Sequence, residues 1–160
     1  MLHFGFFVPN FHRKQLNQKS KTGMNIYIYL KFNSTLQFAI NDDNPSKFKE
    51  MKEDSWVGFD NGDTLIWKIS QNPGTLQKIK IRDVKKKDQV KIGKGTWKDT
   101  WTVKPKKVTD SEYTGQPNAA GATVDNPYAF AYDIDYMIAG SNGWQTLDPG
   151  GWSPPPPPEG

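Results

Sequence analysis

The stretch Tyr128-Ala129-Phe130-Ala131-Tyr132-Asp133-Ile134-Asp135-Tyr136-Met137-Ile138 alternates large apolar residues with small or acidic ones throughout its length. A period of two marks a β-strand, whose side chains point in turn to opposite faces. Tyr128, Phe130, Tyr132, Ile134, Tyr136 and Ile138 line one face; Ala129, Ala131, Asp133, Asp135 and Met137 line the other. A helix would scatter the bulky set around its circumference. A face this apolar needs a second layer to cover it, so the strand implies a packed sheet.

The same period recurs upstream. Ile26, Ile28, Leu30 and Phe32 alternate with Tyr27, Tyr29 and Lys31, and Leu36, Phe38 and Ile40 follow after Asn33-Ser34, which reads as a hairpin turn. Leu65, Trp67 and Ile69 make one further stripe; Ile79 and Ile81 stand opposite Lys78, Lys80 and Arg82. Val90 and Ile92 suggest a short strand, and Trp97, Trp101 and Val103 can share a face until Pro105 closes that run. Asn41–Pro45, Asn72–Gly74 and Ser141–Gly143 are turns, Lys85–Asp88 is a solvated loop, and Phe48–Asp54 could form a short helical turn. No useful helix-period segment and no internal repeat is present. The expected fold is all-β: an antiparallel two-sheet sandwich of roughly seven or eight strands, with a small barrel as the alternative.

A chain of 160 residues fits one domain with a core that needs no disulfide or metal. We expect that domain over residues 24–149. Residues 1–23 read as a disordered leader or upstream extension, and residues 150–160 as a Gly/Pro-rich tail after Asp148-Pro149-Gly150-Gly151 ends the order.

Within this pattern, Val57-Gly58-Phe59-Asp60-Asn61-Gly62-Asp63-Thr64-Leu65-Ile66-Trp67 resembles the cupredoxin arrangement in which a Gly-Asp turn feeds a buried strand. The strand Tyr128–Ile138, a glycine turn and Leu147-Asp148-Pro149 are similar to cupredoxin-like closing strands, with Gly150-Gly151-Trp152 and a proline run where a final strand would stand. The resemblance implies a cupredoxin-like sandwich; an immunoglobulin-like one is its close rival. Blue-copper chemistry needs a cysteine thiolate and two histidines. The chain has no cysteine and no histidine after His12. The same gap removes thiol nucleophiles, imidazole bases and ordinary zinc ligation from residues 13–160. No catalytic, cofactor or metal ligand set is assigned.

Charge is unevenly spread. Residues 78–107 hold twelve basic and three acidic side chains, whereas residues 108–160 hold seven acidic and no basic ones. Complementary patches of that kind could drive self-association, or neutralise each other within the fold. Nucleic acid is not expected as a partner. No apolar run approaches the roughly 20 residues of a membrane span. The absence of cysteine and of a recognisable signal peptide leads us to expect a cytoplasmic protein, with export by another route as the alternative.

Six tryptophans are the richest resource for recognition. Trp97 and Trp101 beside Lys98, and Trp144 in a loop, are the candidate ligand-binding residues, able to stack on sugar rings. Asp133 and Asp135 share a face at about 6.5–7 Å, near the lower separation for an inverting glycosidase. Asp60–Asp63 and Asn41–Asn44 offer oxygens of the kind calcium takes, without EF-hand spacing. Pro154–Pro158 is similar to a polyproline II ligand. The leading expectation is a non-enzymatic surface-binding or structural module. A carbohydrate-binding module using exposed tryptophan is second, and an aspartate-based hydrolase third.

Overall fold

The computed structural model describes residues 23–84 and 96–155. Twelve strands occur among them: β1 (Asn25–Asn33), β2 (Thr35–Ile40), β3 (Lys49–Glu50), β4 (Trp56–Gly58), β5 (Thr64–Gly74), β6 (Leu76–Asp83), β7 (Thr96–Lys98), β8 (Trp101–Thr109), β9 (Glu112–Pro117), β10 (Tyr128–Ile138), β11 (Gln145–Leu147) and β12 (Gly150–Ser153). One sheet has the order β3-β2-β1-β5-β9-β8. The other is organised around β10. On one flank β12 pairs with its first half and β11 with its second; β4 lies beyond β12. On the other flank β7 pairs with Tyr128–Phe130 and β6 with Tyr132–Ile138. The chain passes between sheets at β3–β4, β4–β5, β5–β6, β7–β8 and β9–β10.

The all-β two-sheet reading is therefore correct, but the pairing is mixed. β1 runs parallel to β5, β7 to β10 and β4 to β12. Parallel neighbours cannot be joined by a tight hairpin, and the two strands of each of these pairs are separated in the chain by a passage through the opposite sheet. Short strands such as β3, β4, β7 and β11 raise the count above the expected number.

Three local expectations need correction. Pro105 lies inside β8, which is a sheet edge where the missing N–H costs no ladder bond. Trp97 and Trp101 do not share a strand face: β7 and β8 belong to different sheets. Phe48–Asp54 is not helical; a 3-10 turn at Pro45–Lys47, capped by the Asn44 side chain on Ser46 N, precedes β3. The domain boundary also moves. Gly150–Ser153 is a fully buried strand held between β10 and β4, so the fold continues past residue 149. The expected strand at Val90–Ile92, the loop at Lys85–Asp88 and the leader through residue 22 lie outside the described residues.

The alternation sets the core. Ile28, Leu30, Leu65, Trp67, Phe130, Tyr132 and Ile134 are completely buried between the sheets. Trp67 meets Tyr132 edge-on with ring centroids 5.1 Å apart. Phe59 packs on Phe130 at 5.5 Å, and Trp101 reaches Phe130 at 6.0 Å. The outer face of β10 is buried as well in its first half. Ala129 and Ala131 are small, and Trp97, Trp152 and Trp56 lie over them and their neighbour Gly150. A Cβ on Gly150 would stand 2.4 Å from the Trp56 ring, so the tryptophan lies directly on the backbone.

Two outcomes test this packing. Trp67→Ala and Phe130→Ala each remove a filled inter-sheet position and should lower unfolding free energy by about 3–5 kcal/mol in urea titrations; losses under about 1 kcal/mol would show the register to be wrong. Gly74 makes the β5–β6 crossing at φ 62°, where a Cβ would lie 2.0 Å from the Phe32 carbonyl oxygen. Gly74→Ala should therefore cost more than the roughly 1–2 kcal/mol of a left-handed residue alone, and an unchanged melt would refute that close approach.

Candidate functional site

Where β10 ends, Phe32, Ile138 and Leu147 are partly buried against the core. β1 and β2 meet there through Ser34, a non-glycine residue at φ 66°. Phe32 from β1 and Tyr136 from β10 face each other at 5.9 Å with rings tilted by 31°. Above them lies an open cleft of about 250 Å³. Phe32, Tyr136, Leu36, Met51 and Leu147 give it an apolar floor and walls. Its polar lining residues are Ser34, Thr35, Gln145 and Glu50.

The Gln145 amide is placed by strand alternation. On β11, Gln145 and Leu147 turn toward the cleft, and Thr146 turns outward to donate to Asp135 Oδ1 at 2.7 Å. The Tyr136 hydroxyl donates to Gln145 Oε1 at 3.1 Å. That bond fixes which end of the amide meets the tyrosine and leaves Nε2 to donate elsewhere. Burial raises the Tyr136 pKa, so the phenol stays a neutral donor.

Behind this wall, on the outer face of β10, the two aspartates singled out by spacing are neither solvated nor free. Arg82 on β6 donates from Nε to Asp135 Oδ2 at 2.6 Å and from Nη2 to Asp135 Oδ1 and Asp133 Oδ2 at 3.0 Å. Asp135 is 8% exposed. Burial opposes its ionisation, but hydrogen bonds from Arg82 and Thr146 and the charges of Arg82 and Lys80 outweigh that and hold its pKa below the ordinary value. Asp133 shifts the other way. Burial comes first, then the charge of Asp148 and a hydrogen bond with it, against the opposing pull of Arg82. An arginine locked between β6 and β10 thus ties β11 to the sheet through Asp135 and Thr146.

The candidate tryptophans do not assemble into one platform. Trp97 packs against Trp56 with centroids 5.3 Å apart and rings tilted by 42°, and Trp101 packs on Phe130. Lys98 places its Nζ 4.5 Å above the Tyr128 ring. Trp144, just before β11, is half exposed. The cleft residues themselves carried little sequence signal. Phe32 and Tyr136 read as inward-facing members of two apolar stripes, with nothing to mark an opening beside them.

Both oxygen-rich loops use their side chains as acceptors for the fold's own N–H and O–H groups. Asp63 accepts from Met24 N and Asp60 N, each at 2.8 Å, and Asn61 Oδ1 accepts from Ala119 N at 3.0 Å. Asn41 accepts from Tyr27 N, and Asp43 from Ser70 Oγ and Gln71 N. Among the described residues no group of three or more His, Cys, Asp or Glu side chains is placed to hold a metal ion, and no helix is long and apolar enough to cross a membrane. The opposed charge segments meet within one molecule. Arg82 holds Asp133 and Asp135, and Lys107 pairs with Asp110. No protein-family model, curated protein or solved structure matches the chain.

The aspartate pair makes stability depend on pH in two opposite senses. Asp135, with a lowered pKa, contributes stability that is present above 3.8, the ordinary value, and lost as pH falls through its folded value. Asp133, with a raised pKa, favours folding while protonated; its contribution is present below 3.8 and lost as pH rises through its folded value. Thermal melts across this range should show Asp133→Asn losing the decline above 3.8 and Asp135→Asn losing the decline below it. Identical pH profiles for the two variants and the parent would contradict the assignment.

Proposed function

We propose that this chain is a non-enzymatic binding module whose cleft between Phe32 and Tyr136 takes an amphipathic, sugar-like ligand. One observation carries the reading: Phe32 and Tyr136, with ring centroids 5.9 Å apart, line one cleft together with Ser34, Thr35, Gln145 and Glu50. A pyranose has the complementary character, with C–H faces that cover an aromatic ring and hydroxyls that need donors and acceptors around the edge. A binding role rather than hydrolysis is supported by the acid groups, since Glu50 is the one acidic residue lining the cleft among the described residues. Asp133 and Asp135 are engaged by Arg82 on the far face of β10. The cupredoxin-like pattern at residues 57–67 is kept as a proposed kinship of fold, without copper chemistry.

Self-association through residues 78–107 and 108–160 has less to draw on, because part of that charge is already paired in cis. The test is a titration of isotopically labelled protein with neutral oligosaccharides, followed by amide shifts. Signals of Thr35, Leu36 and the Gln145 side chain should move together and saturate, and Tyr136→Ala should abolish the effect in a protein that still melts cooperatively. Shifts confined to Trp144 would favour the exposed-tryptophan site instead. A salt-sensitive oligomer in sedimentation, with no sugar response, would favour assembly.

A further inference from the structure

We infer that the outer face of the second sheet around Trp56, Trp97 and Trp152 is a docking surface for proline-rich chain in polyproline II form, and that its occupant is this chain's own run at residues 154–158. The inference is independent of the cleft, which lies at the other end of β10. The face is built by register. Val57 and Phe59 join the core, so Trp56 and Gly58 point outward. On β12, Gly150 stands opposite Trp56 and Trp152 opposite Gly58. On β10, Ala129 lies opposite Trp152, and on its other flank opposite Trp97 of β7. Large rings thus stand among residues with little or no side chain. Trp56 lies over Gly150, meets Trp97 at 5.3 Å and meets Trp152 edge-on at 6.0 Å. Trp56 and Trp97 are only half buried, so indole surface stays accessible from outside.

Proline already reaches this face. Leaving β12, the chain brings Pro155 onto β4: a Cβ on Gly58 would stand 2.9 Å from Pro155 Cβ and 3.0 Å from its Cα. Gly58 has Trp56 two residues before it on the same face and Trp152 across the ladder. Pro155 therefore arrives at the edge of the aromatic cluster. Three more prolines follow it in the sequence. At about 3.1 Å per residue in polyproline II form they extend about 9 Å. The Trp56 and Trp97 rings are 5.3 Å apart, so the run is long enough to cross both. Polyproline II segments suit aromatic-lined surfaces because the helix is preformed and loses little entropy on docking. The covalent link decides the occupant. A run tethered at Pro155 meets the rings at an effective concentration on the order of millimolar, ahead of any free partner.

The experiment compares the full chain with a full-length variant carrying Pro156→Gly, Pro157→Gly and Pro158→Gly together. The variant removes the stiff helix and leaves every described residue as it is. Assigned indole N–H signals are followed by NMR, with a synthetic decaproline peptide as the added probe. The substitutions should shift the Trp56 and Trp97 signals and leave Trp144, before β11, unmoved. A run that holds the face about nine-tenths of the time lowers a competitor's apparent affinity about tenfold. Decaproline should therefore bind the variant about tenfold more tightly than the parent, saturating the same two signals. Identical indole spectra for parent and variant, equal peptide affinities, or a variant that does not respond to decaproline would overturn the inference. Parent Trp56 and Trp97 signals that move with protein concentration would place the run on a second copy and overturn the intramolecular occupant. The sugar-binding reading is decided separately, by the amides of Thr35 and Leu36.

Discussion

The edge-on contact of Trp67 with Tyr132 holds the two sheets at one spacing and one register. Each ring comes from an eleven-residue strand, β5 in one sheet and β10 in the other, and both are completely buried. Neither Trp67 Nε1 nor the Tyr132 hydroxyl has a well-formed hydrogen-bond partner among the described residues. Leaving a neutral polar group in that state costs about 1–3 kcal/mol, and burial of two large rings offsets it. Burial also raises the Tyr132 pKa far above any working pH, so no charge is ever placed there. With the centre fixed, the ends can differ. Phe59, Phe130 and Trp101 fill one of them; Phe32 and Tyr136 only floor the other, which is why a cleft exists there.

Two of the three parallel pairs occur where the outer face is also covered, and the third, β1–β5, is covered in part. This is the physical expectation, since parallel ladders are found almost only with both faces buried. The β7–β10 and β4–β12 pairs lie under Trp56, Trp97 and Trp152, with Ala129, Ala131 and Gly150 small enough to let the rings settle. The β1–β5 pair is crossed by the segment from Asn41 to Phe48. Asp43 binds Ser70 and Gln71 on β5, and Lys31 on β1 sits 4.4 Å from the Phe48 ring. The tryptophans and the acidic loop therefore build outer layers. Their abundance in the sequence reflects that work as much as recognition.

Strands with a clean period of two were legible from residues alone. Phe130, Tyr132 and Ile134, or Ile28 and Leu30, have no other place to go than the core. The partners of those strands were not legible, because the crossings that make the sheets mixed depend on contacts far apart in sequence. Gly150-Gly151-Trp152-Ser153 was misread for a related reason. Glycines before prolines suggest an end of order, yet here glycine is required because Trp56 and Phe59 lie against the backbone. The cleft was hidden by its ordinariness. Ser34, Thr35, Gln145 and Glu50 are common surface residues, and only their convergence distinguishes them. The aspartates were visible, but not Arg82 between them, since a cation on β6 meets β10 only after the chain has folded.

The placement of β12 has a consequence for how the molecule is made. β4 emerges early in synthesis, but its ladder partner β12 lies at Gly150–Ser153. At about 5–20 residues per second, β4 waits for several seconds with Trp56 and Val57 uncovered. The first sheet, whose last strand is β9, can assemble during that interval. The second sheet cannot close, and a nascent chain halted before Gly150 would present the bare flank of β10 and the Trp56 ring to whatever chaperone or neighbouring chain is at hand.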